Sequence, residues 1–305
     1  MKPETMKSDG AAQSIHAWEK KKAFMPIVIF LAVCFVFVLM QSYSYACLQE
    51  NEVLSHITYM IYLFSPMIGC IAARLITGEG FRDGVLWPRF IENKKAYLLA
   101  ILMPTLMGLL GGVLSALLLG EGLSIKVEGG LRMGILMILL LFGQCYYTAF
   151  VTAGEEFGWR ALLYDKLEIL IGTNGALCVG GILWGLWHFP VLYYVGINFG
   201  KDYPGFPYVG ILLMCIATCF IGAPLWLVRK MSGSVIPACI FHGIIDSVCN
   251  GFLVLFLSER VVAEKTFQIG ICGFVLPSVI IGIPCWIYLV RRTVGNPESR
   301  SSNHN

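Results

Sequence analysis

The residues able to do chemistry in this chain are few and unusually placed. Glu155 and Glu156 stand side by side at the end of an apolar run that begins near Leu131, within the phrase Gly154-Glu155-Glu156-Phe157-Gly158-Trp159-Arg160. Ionisable groups at membrane depth are costly and normally face a protein-lined cavity, so they mark a functional site. On a helix the two acids point about 100° apart, whereas Glu156 and Arg160 lie one turn apart on one face. Glu155 is thereby free to work, and Glu156 has a partner. Of five histidines, His16, His56 and His304 lie outside the apolar runs, while His188 and His242 lie within them. A spacing of four puts His242 and Asp246 on one helical face, where the carboxylate can orient the imidazole or join it in holding something else. A carboxylate and imidazoles at one place suit the activation of a water for attack on a carbonyl. Two histidines with carboxylates also match the ligand set of a catalytic zinc, which takes three protein ligands and leaves one position open.

These residues must be positioned by a membrane bundle. The chain has 305 residues, 57% of them hydrophobic and 13% charged, with a mean hydropathy of +0.74. That profile belongs to a polytopic membrane protein and excludes an ordinary soluble enzyme. A net charge of +3 gives no case for nucleic acid as a partner. Eleven cysteines, mostly in apolar runs and with no CxxC pair, read as small buried hydrophobes, not as a disulfide or zinc framework.

Eight apolar segments approach the ~20 residues needed to cross a bilayer: Phe24 to Ser44, Ile57 to Thr77, Ala96 to Leu119, Leu131 to Ala153, Cys178 to Ile197, Tyr208 to Val228, Gly233 to Leu257 and Phe267 to Val290. The first is expected to be a retained span, since it is too long for a signal peptide and lacks a small-residue cleavage site. Trp159 to Leu170 is expected to continue the fourth helix and emerge at the interface. The chain reads as one all-α membrane domain without internal repeats: a cytoplasmic segment 1–23, two spans and a basic loop 24–95, a core 96–257 that holds the candidate residues, a last span 258–292 and a disordered tail 293–305.

Orientation follows from lysine and arginine. With a cytoplasmic N-terminus, 17 of the 22 fall on the cytoplasmic side and five outside, Lys126, Arg132, Lys201, Arg260 and Lys265. The positive-inside bias therefore places both termini in the cytoplasm. Counting inward at 1.5 Å per residue, His188 and His242 lie roughly a dozen ångströms below that surface, at a level Glu155 can share, around a chamber facing the cytoplasm. Among the remaining residues, Arg74 is expected to snorkel from the inner end of the second span. Trp87, Trp159, Tyr193 and Tyr194 fit interface anchors, Trp184 and Trp187 fit cavity walls or core, and Gly108, Gly111 and Gly112 permit close helix contact.

Three motifs, Glu155-Glu156-x-x-x-Arg160, Trp184-x-x-x-His188 and His242-x-x-x-Asp246, together with Ile236-Pro237-Ala238, resemble those of the CAAX-protease and bacteriocin-processing family of intramembrane proteases. The family takes in type II CAAX prenyl endopeptidases, lysostaphin-resistance-like proteins and abortive-infection proteins; the likeness covers about Ala96 to Leu257, nearest its bacterial branch. Asp246 stands where family members often have Asn, and an ionised carboxylate cannot donate a hydrogen bond. The resemblance implies an endopeptidase acting on a membrane-associated peptide or protein. Glu155 would be general base, His188 would hold or activate the water, and His242 with Asp246 would stabilise the carbonyl oxygen or ligate a metal; Glu156 and Arg160 would form a supporting pair. Members have been assigned both metal-dependent and glutamate-dependent mechanisms. Zinc is therefore a candidate cofactor, with Glu155, His188, His242 and Asp246 as candidate ligands, and a metal-free glutamate and histidine mechanism is the preferred expectation. The competing class is a non-catalytic immunity or scaffold protein, or a transporter using the same residues as a proton relay.

Overall fold

The structure, a computed structural model, describes residues 3–48, 51–81 and 85–295, with side chains described over 19–48, 51–81 and 85–293. The expected disordered tail, from 296 on, lies outside the described residues, as does Arg82. Helices account for the fold, and no strand occurs among the described residues. In order they are α1 (Pro3–Cys47), α2 (Glu52–Leu63), α3 (Ser65–Ile76), α4 (Lys94–Leu118), α5 (Gly130–Gly158), α6 (Tyr164–Trp187), α7 (Tyr208–Ser232), α8 (Ile236–Ile244), α9 (Asn250–Phe256), α10 (Glu259–Glu264), α11 (Thr266–Ile269) and α12 (Leu276–Gly295). The segment 1–23 set apart from the first span is, from Pro3, the opening of α1.

Among the described residues six helices are long and apolar enough to cross a membrane, or seven if α2 and α3, bent by 49°, count as one span. The sequence led us to expect eight. The difference arises because the expected fourth and fifth spans lie in one helical stretch of 58 residues, Gly130–Trp187. Straight, it would reach about 87 Å, nearly three times a bilayer's hydrocarbon core. It is broken at Gly172, whose φ of 73° and ψ of 175° no helix accommodates and which suits a residue without Cβ.

Two other expectations change for one reason, satisfaction by tertiary partners. Trp159 is 1% exposed and packs edge-on against Phe30 with ring centroids 5.2 Å apart, so it is core, not an interface anchor. The stretch Trp159–Leu163 is a fully buried π-helical turn instead of an emerging helix end. Arg74 is 5% exposed and does not snorkel; its Nη2 donates to the Ala161 carbonyl of that turn at 2.9 Å and its Nη1 to the Gly80 carbonyl at 3.0 Å. Trp87 remains exposed and Tyr193 partly so, as expected of surface aromatics. All eleven cysteines are free, and six are buried.

The bundle has two distinct ends, because α4 and α7 each have one terminus at either end. At one, Lys166 pairs with Glu79, Arg229 with Asp165 at 3.0 Å and Lys230 with Glu168, and the Val235 amide donates to the Val85 carbonyl at 2.9 Å. This is the basic end. At the other, Ser258 donates to Glu121 at 2.9 Å, the Lys126 amide donates to the Leu255 carbonyl, and Tyr203 stacks on Phe267 at 4.5 Å.

Gly111 of α4 lies against backbone: a Cβ there would sit 2.4 Å from the Gly273 carbonyl oxygen, whereas one at Gly143 would meet nothing within 4 Å. Gly111→Ala should therefore lower stability in detergent by about 1–3 kcal/mol through overpacking. Gly143→Ala, in an open helical position, should leave it unchanged or raise it by up to about 1 kcal/mol. Thermal unfolding of both variants checks the contrast, and a Gly111→Ala midpoint at or above wild type would contradict the close helix approach.

Candidate functional site

Glu155 and Glu156 occupy the last turn of α5, immediately before the π-helical turn Trp159–Leu163. The angular separation expected of neighbours on a helix is realised as two different surroundings. Glu156 is 0% exposed, and its Oε1 receives Arg160 Nη1 at 2.9 Å and His242 Nδ1 at 2.8 Å. Glu155 is 6% exposed and lines a cavity, its Oε2 held by Trp184 Nε1 at 2.8 Å. That leaves its second oxygen for the chamber.

Arg160 is also fully buried, with its guanidinium carbon 3.9 Å from the Trp184 ring centroid and 5.1 Å from that of Tyr164. Its Nε and Nη2 find no hydrogen-bond acceptor. The ring faces of Trp184 and Tyr164 take that place, and a desolvated cation over an aromatic face is worth about 2 kcal/mol or more. The pair expected to fix the start of an exposed helix is thus a buried ion pair that also anchors an imidazole.

His188 follows α6, and its Nδ1 donates to the Trp184 carbonyl at 2.8 Å, which leaves Nε2 as the acceptor of a neutral ring. His242 stands in α8 with Asp246 one turn on, in the π-helical turn Ile245–Cys249. With Nδ1 committed to Glu156, His242 presents Nε2, which lies 3.7 Å from Asp246 Oδ1. That separation is too long for a hydrogen bond. Asp246 itself is exposed, and the surface it presents is cavity wall. α8 reaches this position because Gly243 lets it touch α5: a Cβ there would lie 2.6 Å from the Ala149 amide nitrogen. Thr148 and Thr152 then fasten the contact by donating to the carbonyls of Gly243 and Cys239 at 2.9 and 3.0 Å.

The structure therefore brings Glu155, His188, His242 and Asp246 onto one cavity of about 540 Å³, with Trp184 and Trp187 in its wall. Glu156 and Arg160 lie outside the lining, behind Trp184 and His242. Each of the three motifs runs directly into a π-helical turn: Trp159–Leu163 after the acids, Val191–Val195 after His188, and Ile245–Cys249 after His242. Such turns recur at functional sites because the extra residue re-aims the side chains around it. Sequence reasoning missed the Glu156 to His242 bond, the Trp184 hold on Glu155, and Tyr62 and Asn250 in the wall. Asn250 was within reach, since it repeats the spacing of four that joins His242 to Asp246. Tyr62 was not, because long-range contact with Trp187 seats it there: its ring stacks on the indole at 4.3 Å and its hydroxyl donates to the Trp187 carbonyl.

Zinc fits this arrangement poorly. Among the described residues no three His, Cys, Asp or Glu side chains are gathered closely enough to hold a metal ion. A catalytic zinc site takes three protein ligands, and no such set is assembled among the described residues.

Arg160→Met should destabilise the protein by about 3–5 kcal/mol, because it strands the Glu156 carboxylate in the core. Glu156→Gln combined with Arg160→Met should cost less than the sum of the two single changes. Thermal unfolding of the three variants measures the coupling, and strict additivity would show that the pair does not act as a unit.

Comparison with known proteins bears on these same residues. Residues 133–248 match the family model described as type II CAAX prenyl endopeptidase Rce1-like, a span that holds all three motifs. The chain is similar to CAAX prenyl protease 2 of Methanococcus maripaludis, with 26% identity over 207 residues, covering 63% of this chain and 67% of that protein. The acids of α5, the histidine after α6 and the His242 to Asp246 turn therefore lie inside one recognised unit, which is similar to the Rce1-like group of the CAAX-protease and bacteriocin-processing family.

Proposed function

We propose that this chain is an intramembrane endopeptidase that hydrolyses a peptide bond in a membrane-associated peptide or protein, with 96–257 as its catalytic core. The observation that carries the proposal is the meeting of Glu155, His188, His242 and Asp246, from three separate helical regions, on one cavity within an apolar bundle. In this reading a water lies between Glu155 and the scissile carbonyl. Glu155 takes its proton as the oxygen attacks, and His188 Nε2 accepts the water's other hydrogen and fixes its direction. The oxygen of the tetrahedral intermediate faces His242 Nε2, which donates to it when protonated. Glu156 orients that imidazole through Nδ1, and Asp246 lies beside Nε2 at 3.7 Å. Collapse breaks the C–N bond, and the proton held by Glu155 passes to the departing amine.

The match of residues 133–248 to the Rce1-like family model and the likeness to a CAAX prenyl protease support peptide hydrolysis. A site enclosed by helices favours a substrate that is itself anchored in or dissolved in the bilayer. The donor geometry favours a glutamate and histidine mechanism without an obligatory metal, since no set of three ligands is assembled.

The experiment is cleavage of a membrane-anchored peptide library by purified protein in detergent or liposomes. Glu155→Gln should lower kcat by about 10²–10⁴ with an unchanged unfolding midpoint. Full activity in that variant would remove the general base and with it the mechanism. Proton flux through liposomes, abolished by the same change, would replace the protease with a relay. Activity should also persist in chelator without stoichiometric metal, and its loss in chelator with recovery on adding zinc would overturn the metal-free route.

A further inference from the structure

We propose that the chamber admits its substrate from the end of the bundle opposite the basic loops, so that the peptide cut is one presented at the outer face of the membrane. This rests on the protease reading for the word substrate, but the route itself is a matter of geometry. Among the described residues the lining contains none from the segments 74–81, 85–95, 160–168 and 229–235 that form the basic end. Between the site and that end stand Glu156 and Arg160, both without solvent exposure, followed by the equally buried Tyr164 and Trp226. The floor is closed by packed core.

In the other direction the wall runs past Asp246 and Asn250, both exposed to the cavity, to Asn198, Val262 and Thr266, which are exposed. These three belong to the segments joined at the far end, where Phe199 and Tyr203 pack against Phe267. The mouth therefore opens where only five of the 22 basic residues are expected. By the positive-inside bias that end faces outward, reversing the expectation that the chamber faces the cytoplasm. The lining carries two carboxylates, Glu155 and Asp246, and no lysine or arginine. It suits an extended peptide that is neutral or basic near the cut and disfavours an acidic one.

Site-directed thiol labelling in intact cells tests this without depending on cleavage. Asn250→Cys deep in the chamber, Thr266→Cys at the mouth and Glu79→Cys at the basic end are each treated with a membrane-impermeant thiol reagent. Labels are counted by mass against the parent, which carries the native cysteines. Asn250→Cys and Thr266→Cys should each gain one label in intact cells, and Glu79→Cys only in inverted vesicles. Adding Thr266→Trp should slow labelling of Asn250→Cys several-fold. Reaction of Asn250→Cys only from the side that labels Glu79→Cys overturns the route, and labelling of Glu79→Cys in intact cells overturns its outward direction. Because none of these outcomes requires proteolysis, a wrong route and a wrong enzyme class are told apart.

Discussion

One carboxylate oxygen, Oε1 of Glu156, organises the site. It is shared by Arg160 from the following turn and by His242 from α8, with no solvent contact at the acid or the guanidinium. A charge so placed is several kcal/mol unfavourable unless paired, so every conformation that separates α5 from α8 is penalised. The arrangement extends outward in both directions. Arg160 lies on the face of Trp184, Trp184 donates to Glu155, and His242 presents its free nitrogen beside Asp246. The working acid and the working imidazole are therefore held by two ends of a single chain of contacts, and neither relies on lipid or water for its position. That is the logic of a preorganised site, in which polar groups are fixed before the substrate arrives.

The chemistry was largely legible in the sequence because spacing in helices is a geometric statement. Glu156 with Arg160 and His242 with Asp246 both meet at four residues' separation, and the structure keeps both on a shared face. What could not be read were choices made by tertiary partners. Arg74 and Trp159 look, by composition, like residues at an interface. Each is drawn inward because the π-helical turn Trp159–Leu163 offers a carbonyl to one and Phe30 offers a ring to the other. The spans number six or seven among the described residues instead of eight for a related reason. Hydropathy marks where the chain is apolar enough to enter a membrane, and it does not register a helix that continues buried through Trp159–Leu163 until Gly172 breaks it. Likewise the sequence placed the acids and both histidines at one depth but held no information on which side of them the core is solid.

Packing and chemistry use the same small residues here. In a bilayer, helices associate through close backbone contact, since lipid chains offer apolar side chains as good an environment as another helix does. Gly243 brings α8 onto α5 beside His242, and Gly111 brings α4 onto the turn that lies across the cavity wall. The threonines of α5 then convert proximity into direction through hydrogen bonds to α8.

The five-residue turn that carries Asp246 winds more loosely than the helices on either side of it. A π-helical turn accommodates one residue more than the α-helix it interrupts, and loss of that residue restores regular winding with little disturbance upstream. Excising one codon between 245 and 249 would thus be taken up within the turn, leaving His242 seated on Glu156 and the following helix in place while re-aiming the side chains of the turn itself. The aspartate would be carried off the wall and a different side chain brought to face the imidazole. A lineage can in this way exchange the partner of its histidine in a single genetic event, without rebuilding the bundle that holds it.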